Sequence, residues 1–365
     1  MKKSIITLTS LLLALSILGG CSNTDSKPSN TPTDKPTVEA KTAGVLWYQF
    51  ADTFIANAKN NLENISKADG RIEVTSADSL NDSATQTNNM ENMITQAKDF
   101  IVVNNINTGA TDEIAERIVS SGSTAIFANT TAPSDEALAK EGVYLVTSAA
   151  EQSGTIMGEA LVKYWNEHPE ADRNGNGKLD CVVLLGIESH YDTIVRDSGS
   201  REALEAAGIQ QELVGGSKIV ADYSRAVAQD KVQALLANFS DDIEAVIACN
   251  DDMALGAIEA LKASGFFTGD ASTYIPVCGV DATEAGRQAI KDGTMLVTAL
   301  NDPVKLGKSI YKLMVLVSEG TPLSQESLGI EGTTVDGSKV WINYVGVTAE
   351  NVDTISYDIT DTELK

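Results

Sequence analysis

Hydrophobic positions follow two alternating patterns from residue 43 onward. Short, nearly continuous apolar runs indicate buried strands, and longer segments with apolar positions at helical spacing separate them. The predicted strands are residues 44–47, 72–75, 100–104, 124–128, 181–185, 245–249, 276–280 and 295–300. The predicted helices are residues 52–65, 83–96, 112–119, 154–165, 196–207, 225–237, 252–263 and 304–316. This alternation predicts an α/β fold with parallel sheets that helices cover on both faces.

The predicted elements fall into two consecutive sets that separate near Ser148. We therefore expect two similar three-layer lobes joined by a hinge, with crossings near Ser148, Asn301-Asp302 and Asn343. The expected N-terminal lobe comprises residues 42–148 and 302–342, and the expected C-terminal lobe comprises residues 149–301 and 343–365. Right-handed crossovers bring the carboxyl ends of parallel strands to one edge of each sheet, where open α/β sheets bind ligands.

Side chains that could bind a ligand follow strand ends in both lobes. In chain order they are Asp52, Phe54, Asn129, His190, Asp192, Arg196, Asn250, Asp251, Asp281 and Asn301. Each Asp or Asn taken alone is more often a helix cap or a turn residue. Carboxylates and amides bind pairs of hydroxyl groups, Arg offers a planar fork of donors, and an aromatic ring can cover the C–H face of a pyranose. The repetition of these residue types at strand ends therefore favours a polyol ligand.

Several other classes of function are disfavoured by composition. The chain has 27 Lys+Arg against 51 Asp+Glu, a formal net charge of −24, whereas nucleic-acid binding needs clustered basic residues. The bulky segment Trp47-Tyr48-Gln49-Phe50 after the first strand is no glycine-rich phosphate loop, which argues against a nucleotide. Two His give a zinc hydrolase little support, and four Cys in 365 residues make no disulfide framework.

The first 20 residues have the features of a secretory signal peptide. Lys2 and Lys3 precede an apolar run over residues 5–18, which is too short to span a bilayer with margin. The following Leu18-Gly19-Gly20-Cys21 resembles the lipobox of bacterial lipoproteins, which implies cleavage before Cys21 and a diacylglycerol on its thiol. The alternative is ordinary secretory cleavage beside an incidental Cys. Residues 21–41 are rich in Pro and polar residues and predict a solvated tether, so the folded part is expected outside the cytoplasm, lipid-anchored to the outer face of the cell membrane.

Several segments occur in the order in which a known family carries them. They are Gly44-Val45 with Asp52-Thr53-Phe54, His190-Tyr191-Asp192 with Arg196, residues 247–257, residues 275–282, and Leu300-Asn301-Asp302. From about residue 43 to residue 350 the chain resembles the galactose/glucose-binding proteins of bacterial ABC sugar uptake, which are periplasmic binding proteins of type I. The resemblance implies this two-lobed fold, with D-galactose or D-glucose as the ligand.

The resemblance also implies roles for individual side chains. Asp52 would bind hydroxyls at the far end of the sugar, and Phe54 would stack on one face of the ring. The remaining hydrogen bonds would come from Asn129, His190, Asp192, Arg196, Asn250, Asp281 and Asn301. The family stacks a Trp on the opposite face, and the matching residue here is Tyr223, in a region that needs a two-residue gap. A Tyr ring covers less of the pyranose face, which leaves the sugar preference open.

Residues 172–180 have, independently, the pattern of a calcium-binding loop. Positions one, three, five, seven and nine are Asp172, Asn174, Asn176, the backbone carbonyl of Lys178, and Asp180. Position twelve is Val183, inside a strand, so a further carboxylate is needed. Glu244 begins a parallel strand at the same sheet edge, and the family resemblance also completes a calcium site with a Glu at this position. The ion would be structural, at the edge opposite the sugar; the alternative is an Asn-Gly turn without metal.

Together these features predict a lipid-anchored binding protein that delivers D-galactose or D-glucose to the membrane subunits of an ABC transporter. The lobes would close around the sugar without breaking a bond, and the chain is expected to act as a monomer without nucleic acid. A sugar receptor for a chemoreceptor or a sensor kinase would use the same residues and remains an alternative. A glycoside hydrolase is less favoured, although Asp52, Asp192 and Asp281 could by chance supply two carboxylates about 5–10 Å apart.

Overall fold

The computed structural model describes residues 40–355 and 357–364. The predicted signal peptide, the predicted lipidation site Cys21 and the predicted tether as far as residue 39 lie outside the described residues. Within the described part, the helices are all too short or too polar to cross a membrane.

Strands and helices alternate along most of the described chain. The strands are β1 Lys41–Trp47, β2 Ile72–Asp78, β3 Phe100–Val103, β4 Thr124–Ala128, β5 Val143–Ser148, β6 Leu179–Leu185, β7 Gln211–Leu213, β8 Ile219–Val220, β9 Ala245–Ala248, β10 Val277–Val280, β11 Val297–Leu300, β12 Thr333–Asp336, β13 Lys339–Ile342 and β14 Val345–Val347. The helices are α1 Thr53–Asp69, α2 Ser83–Thr95, α3 Thr111–Val119, α4 Asp135–Leu138, α5 Ala150–Glu167, α6 Tyr191–Ala206, α7 Arg225–Phe239, α8 Asp251–Ala263, α9 Glu284–Lys291, α10 Pro303–Ser318 and α11 Gln325–Leu328.

The strands form two separate sheets. The first has the order β12-β13-β5-β4-β3-β1-β2, and its pairs are parallel apart from the hairpin of β12 with β13. The second has the order β14-β11-β10-β9-β6-β7, with β8 also beside β6, and β14 runs antiparallel to β11. These two parallel-sheet lobes confirm the predicted α/β fold class.

Helices bury both faces of the sheets. In β1, Val45 and Trp47 pack into a core cluster with α1 and α10, whereas Leu46 packs into another cluster with α2 and α3. Successive side chains of a strand point to opposite faces, so this division follows from the pleat. In the second sheet β6 is buried along its whole length. Strands that are buried on both sides explain why the sequence shows continuous apolar runs rather than alternation.

The chain passes between the two sheets at three places. It does so after Ser148 into α5, after Leu300 into α10, and between Ile342 and Val345. Crossings were expected from the sequence near Ser148, Asn301-Asp302 and Asn343. The strands β5, β11 and β13 precede these passages. Their carboxyl ends therefore face the region between the lobes.

The end of the C-terminal segment contacts the first lobe, although residues 343–365 as a whole were expected in the second lobe. The side-chain amide of Asn61, in α1 of the first lobe, donates to the carbonyls of Ile359 and Asp361, at 3.0 and 2.9 Å. Leu364 packs against the core cluster that contains α1 and α10. The physical reason is that Asn61 is fully buried and its amide needs acceptors, which the last residues supply.

Candidate functional site

The side chains that follow the strand ends meet at one cavity between the lobes. All of the side chains assigned to sugar binding line it, namely Asp52, Phe54, Asn129, His190, Asp192, Arg196, Tyr223, Asn250, Asp281 and Asn301. Further lining residues that the sequence analysis did not assign are Tyr48, Ile55, Asn104, Thr130, Thr131 and Tyr191. The fold thus brings together every predicted contact, at the carboxyl edges of both sheets.

Two of the lining residues are also helix caps. A carboxylate oxygen of Asp52 accepts from the N–H of Ile55 at 2.9 Å, and the amide oxygen of Asn250 accepts from the N–H of Met253 at 3.0 Å. The other oxygen of Asp52 accepts from the hydroxyl of Tyr48. Burial raises the pKa of Asp52, while the bonds from Tyr48 and Ile55 oppose this rise. Capping therefore fixes these side chains at the cavity rather than competing with a role there.

Arg196 is the charged centre of the cavity wall and is only 4% exposed. Its guanidinium donates to the carbonyl of Cys249 at 2.7 Å, to Asp192 at 3.1 Å and to the hydroxyl of Tyr344 at 2.9 Å. Burial raises the pKa of Asp281 well above its usual range, and the charge of Arg196 opposes this shift. The buried guanidinium is thus held rigidly and its charge is shared with neighbouring carboxyls.

Three buried polar atoms at the cavity have no hydrogen-bond partner among the described residues. They are Oδ1 of Asn129 in the first lobe, and Nε2 of His190 and Nε of Arg196 in the second. Burial lowers the pKa of His190, which favours its neutral imidazole. Buried polar groups in native proteins are almost always hydrogen-bonded. A ligand that donates and accepts hydrogen bonds on both sides would satisfy these atoms.

Aromatic rings from both lobes form one part of the cavity wall. The ring centre of Tyr48, in the first lobe, lies 6.2 Å from that of His190 and 6.5 Å from that of Tyr223, in the second. The rings of His190 and Tyr223 lie 6.0 Å apart. Phe54 adds a further ring, 4% exposed, from the first lobe. The cavity therefore offers apolar ring surfaces beside its polar atoms, as the C–H faces of a sugar require.

The two lobes touch beside the cavity. The hydroxyl of Thr53, at the start of α1, donates to Asp252, at the start of α8, at 2.9 Å. The hydroxyl of Thr108 donates to the carbonyl of Ser189 at 3.3 Å. These bonds join residues of opposite lobes, so the described arrangement is a closed one.

Asn104 and Tyr48 are lining residues that sequence reasoning did not select. The side chain of Asn104 accepts from the N–H of Tyr48 at 3.3 Å and donates to the carbonyl of Asn129 at 2.7 Å. Asn104 directly follows β3, and the position of a polar residue after a strand end was the signal that could have found it. Tyr48 carries no such signal, because an aromatic residue after a strand is usually a core residue.

The predicted calcium loop forms a tight turn at the start of β6. Gly175 and Gly177 have φ values of 71° and 76°, the left-handed region that favours glycine. The side-chain oxygen of Asn174 accepts from the N–H of Asn176, whose own side-chain oxygen accepts from the N–H of Lys178, at 3.0 and 2.7 Å. This turn lies at the edge of the second sheet where the strands begin, opposite the cavity.

Three carboxylates each accept hydrogen bonds from this turn. Glu244 is 1% exposed, and its carboxylate accepts from the N–H of Arg173 at 2.7 Å and from the N–H of Asp180 at 2.9 Å. Asp180 in turn accepts from the side-chain amide of Asn174 at 2.6 Å. Oδ1 of Asp172 is buried and has no partner among the described residues.

The donor set of this turn fits a hard cation after one local change. As the side chains stand, the described residues contain no group of three His, Cys, Asp or Glu arranged to hold a metal. Asn174 and Asn176 direct their NH₂ groups at Asp180, and rotation of these amides would present oxygens instead, at the cost of the bonds that these oxygens now accept from the backbone N–H groups of the turn. The unpartnered oxygen of Asp172 and the carboxylate of Glu244 would complete an all-oxygen set, as Ca²⁺ prefers.

Comparisons with known sequences agree with this architecture. A family model described as the periplasmic binding protein domain matches residues 43–322. The D-galactose/methyl-galactoside binding periplasmic protein MglB of Haemophilus influenzae is 31% identical over 315 residues, which cover 85% of this chain and 90% of that protein. The ribose import binding protein RbsB of Bacillus subtilis is 28% identical, over 84% of this chain and 90% of that protein.

Solved structures show the same fold. A solute binding protein of an ABC transporter from Bacillus halodurans, with bound myo-inositol, has a TM-score of 0.70 at 27% identity and covers 86% of this chain and 96% of its own. One from Clostridium phytofermentans, with bound β-D-glucose, has a TM-score of 0.70 at 20% identity and the same coverage, which shows likeness of fold. The relatives are binding proteins, so the expectation of a binding protein rather than an enzyme is confirmed. The chain belongs to the periplasmic binding protein domain family, whose members work outside the cytoplasm.

Proposed function

We propose that the protein binds one neutral hexose, D-galactose or D-glucose, and delivers it to the membrane subunits of an ABC transporter. The observation that carries this proposal is the cavity between the lobes, to which both lobes contribute buried hydrogen-bonding atoms that lack a partner among the described residues. The galactose-binding relative at 31% identity, over 85% of this chain, supports the choice of a hexose. The ribose- and inositol-binding relatives keep other small polyols among the ligands to be tested.

The chemistry of the cavity favours an uncharged ligand. Arg196 is already paired with Asp192 in an ion pair of 3.1 Å, so its charge is not available as the main anchor of an anion. The carboxylate of Asp52 can accept from hydroxyls at one end, while Nε of Arg196 donates at the other. Phe54 and Tyr223 would cover the two faces of the sugar ring, and no bond of the sugar would be broken.

Closure of the lobes would be the conformational change by which the transporter distinguishes the sugar-bound protein from the free one. Hydrogen-bonding groups from both lobes reach the same sugar only when the cleft is shut, so the sugar stabilises the closed form by its additional contacts there. The closed form would then be the one that docks on the transporter. The proposed cycle needs hinge movement at the three passages between the sheets and no chemistry at the sugar.

Titration calorimetry with a panel of sugars tests this proposal. The panel is D-galactose, D-glucose, methyl β-D-galactoside, D-ribose and myo-inositol, and small-angle scattering follows compaction. We expect the hexoses to bind most tightly and to reduce the radius of gyration. Asp192→Asn should weaken hexose binding by about tenfold or more, because it removes a charged hydrogen-bond acceptor. Glu188→Gln, an exposed acid before α6, is the matched control and should bind like the wild type. The proposal would be overturned if the wild type bound none of the hexoses, or if Asp192→Asn bound them with wild-type affinity.

We also propose that the loop over residues 172–180, together with Glu244, holds a structural calcium ion. The buried, unpartnered oxygen of Asp172 supports this site, and so does the raised pKa of Glu244, which burial causes. A bound cation would offset the repulsion among Asp172, Asp180 and Glu244. Because the loop lies at the opposite sheet edge, the ion would act on stability rather than touch the sugar.

The lipid anchor on Cys21 is a proposal from the segment Leu18-Gly19-Gly20-Cys21. Cells that express the chain should incorporate labelled palmitate into it and retain it in the membrane fraction. Cys21→Ser should abolish the label and release the protein, whereas Ser22→Ala, the neighbouring control, should leave both unchanged. Retention of Cys21→Ser in the membrane, or a wild type without label, would contradict the anchor.

A further inference from the structure

Tyr223 occupies an unfavourable backbone conformation at the cavity. Its φ is 58°, in the left-handed region, and the φ of the preceding Asp222 is 52°. A bulky aromatic residue adopts such a conformation rarely, and residues that do so concentrate at functional sites. The surrounding structure must therefore hold Tyr223 in place.

Two neighbours fix the ring of Tyr223. The hydroxyls of Thr193, in the first turn of α6, and Tyr223 lie 2.6 Å apart, and these residues are only 2% and 7% exposed. A Cβ on Gly186 would lie 2.1 Å from Cζ of Tyr223, so the absence of a side chain there makes room for the ring. The phenol hydroxyl is thus bonded to the protein, and what the residue offers the cavity is its ring surface.

We propose that Thr193 is a positioning residue that fixes the plane of the Tyr223 ring. The orientation of this ring then determines which ring-shaped ligands the cavity accepts. This inference rests on the proposed sugar binding. A ring that is fixed before binding loses little side-chain freedom when the sugar arrives, whereas a loose ring must be ordered at that moment. Thr193 acts through Tyr223, and the proposed role requires no contact between Thr193 and the ligand.

Substitutions at Thr193 and Tyr223 test this role by calorimetry with the hexose panel. Thr193→Val keeps the shape and removes the hydroxyl, Tyr223→Phe removes the partner hydroxyl, and Thr193→Ser keeps the bond. We expect each of the first two to weaken hexose binding by about three- to tenfold. The double variant should be no weaker than the weaker single one, and Thr193→Ser should stay near the wild type.

The outcomes separate this role from a structural one and from the proposed function. Melting temperatures recorded in parallel show any loss of stability, which Thr193→Ser would not share. Additive effects of the two single variants, or wild-type affinity in Thr193→Val, would overturn the positioning role while leaving sugar binding intact. A wild type that binds no sugar would overturn the proposed function instead.

A second, independent observation concerns the C-terminal segment over residues 357–364, which we name the strap. Its seat on the first lobe is built from buried polar side chains. Asn61 of α1 is fully buried and bonds to two strap carbonyls, and Lys308 of α10, only 7% exposed, donates to the carboxylate of Asp361 at 2.6 Å. Burial of a Lys and an Asn is tolerated only with such partners.

The beginning of the strap is held by the second lobe. Tyr357 packs against the core cluster of the second sheet, and the guanidinium of Arg287, in α9, lies 4.7 Å from its ring centre. Only Asp358 separates Tyr357 from Ile359, which is bonded to the first lobe. Two residue steps reach at most about 7 Å. The strap therefore allows little separation of its two attachment points.

We infer that the strap is a fourth link between the lobes that biases the protein toward closure. Opening of the cleft beside α1 and α9 must either stretch this short connection or detach one of its ends. Detachment exposes the seat of Asn61 and Lys308 and breaks their bonds. The strap thus raises the free energy of the open form relative to the closed form.

Removal of residues 357–365 tests the strap. The truncated protein should have a larger radius of gyration without sugar, and a bound hexose should dissociate faster by about tenfold, since several hydrogen bonds of the closed form are lost. Tyr357→Ala frees the end on the second lobe, together with the bond that the side-chain amide of Asn57, in α1, donates to the Tyr357 hydroxyl at 3.4 Å, and it should shift both quantities in the same direction. Glu363→Gln, an exposed strap residue, is the control.

The scattering measurement without sugar does not depend on the identity of the ligand, so the strap can fail while the proposed function stands. An unchanged radius of gyration in both the truncated protein and Tyr357→Ala would overturn the inference. If truncation prevents folding, Tyr357→Ala alone decides between the outcomes.

Discussion

Asp172→Asn is the substitution that isolates the proposed calcium ion from the rest of its loop. One carboxylate oxygen of Asp172 accepts from the N–H of Gly177 at 3.0 Å, and an Asn oxygen can keep this bond. The other oxygen is buried and has no partner in the described part of the chain, and the substitution places an NH₂ group there, which cannot ligate a cation. The variant therefore loses a metal ligand and one negative charge and keeps the turn.

The size of the expected effect follows from linkage. Calcium at 100 times its dissociation constant would stabilise the wild type by about 2.7 kcal/mol. For lobes of 150–250 residues, this corresponds to a rise in melting temperature of about 5–10 °C. Without calcium, Asp172→Asn should be at least as stable as the wild type, because fewer charges repel Glu244, whose pKa burial already raises. With calcium, most of the rise should be absent.

Thermal unfolding after chelation with EDTA, followed by titration with CaCl₂, measures both effects. Asp242→Asn is the matched control, because Asp242 is exposed and lies two residues before Glu244, outside the loop. It removes the same charge and should retain the full rise. A wild-type melting curve that chelation leaves unchanged would refute the calcium site. So would a rise in melting temperature with calcium that is as large in Asp172→Asn as in the control.

Three further predictions concern the cavity and its support. Arg196→Lys should weaken hexose binding by about 10- to 150-fold, because one charge-assisted bond from Nε is lost. A hexose affinity equal to that of the wild type, measured by calorimetry, would contradict this prediction. Since burial lowers the pKa of His190, its neutral form is favoured, and hexose affinity should fall only at a pH below the ordinary imidazole range, where its ring becomes charged, with His190→Gln showing a flatter profile. Burial raises the pKa of Asp251 to about 7, so the folded protein binds a proton that the unfolded chain releases, and stability should fall as the pH rises from about 4 to about 7. Urea unfolding should show that the free energy of unfolding falls with pH across this range in the wild type, and falls less steeply in Asp251→Asn. Equal slopes in the two proteins would refute this prediction.

The sequence predicts those strands whose environment is apolar on both faces. β6 and β9 are fully buried, and their continuous apolar runs identify them. The sequence analysis missed β5, where Thr147 and Ser148 interrupt the run, and it missed β12, whose residues are mostly not buried. Such strands are defined by their hydrogen-bonded neighbours rather than by a local pattern. Helix α9 was missed because Ile290 is the only large apolar residue among its eight, so that no repeated apolar spacing marks it.

Side chains that line the cavity could be predicted only where position and chemistry coincide. Asp281 and Asn301 directly follow strands, and parallel topology then brings them to one edge. Tyr48 bonds to Asp52, and Tyr344 bonds to Arg196, yet aromatic residues near strands look like core in the sequence. The seat of the strap lay beyond prediction as well, because it depends on contacts between residues about 300 positions apart.

The unpartnered atoms at the cavity explain why a sugar should drive closure. In an open, hydrated cleft, water satisfies Asn129, His190 and Arg196, whereas closure without a ligand would bury the three atoms unpaired, at about 1–3 kcal/mol each. This cost of about 3–9 kcal/mol opposes the bonds between the lobes and those of the strap. A hexose supplies hydroxyls that bond to the three atoms and remove this cost. Because each 1.4 kcal/mol changes an equilibrium by about a factor of ten, the ratio of closed to open forms can rise by a factor of about 10² or more. Ligands that lack a hydroxyl at any one of these three positions should therefore bind more weakly and also leave the protein more open in scattering.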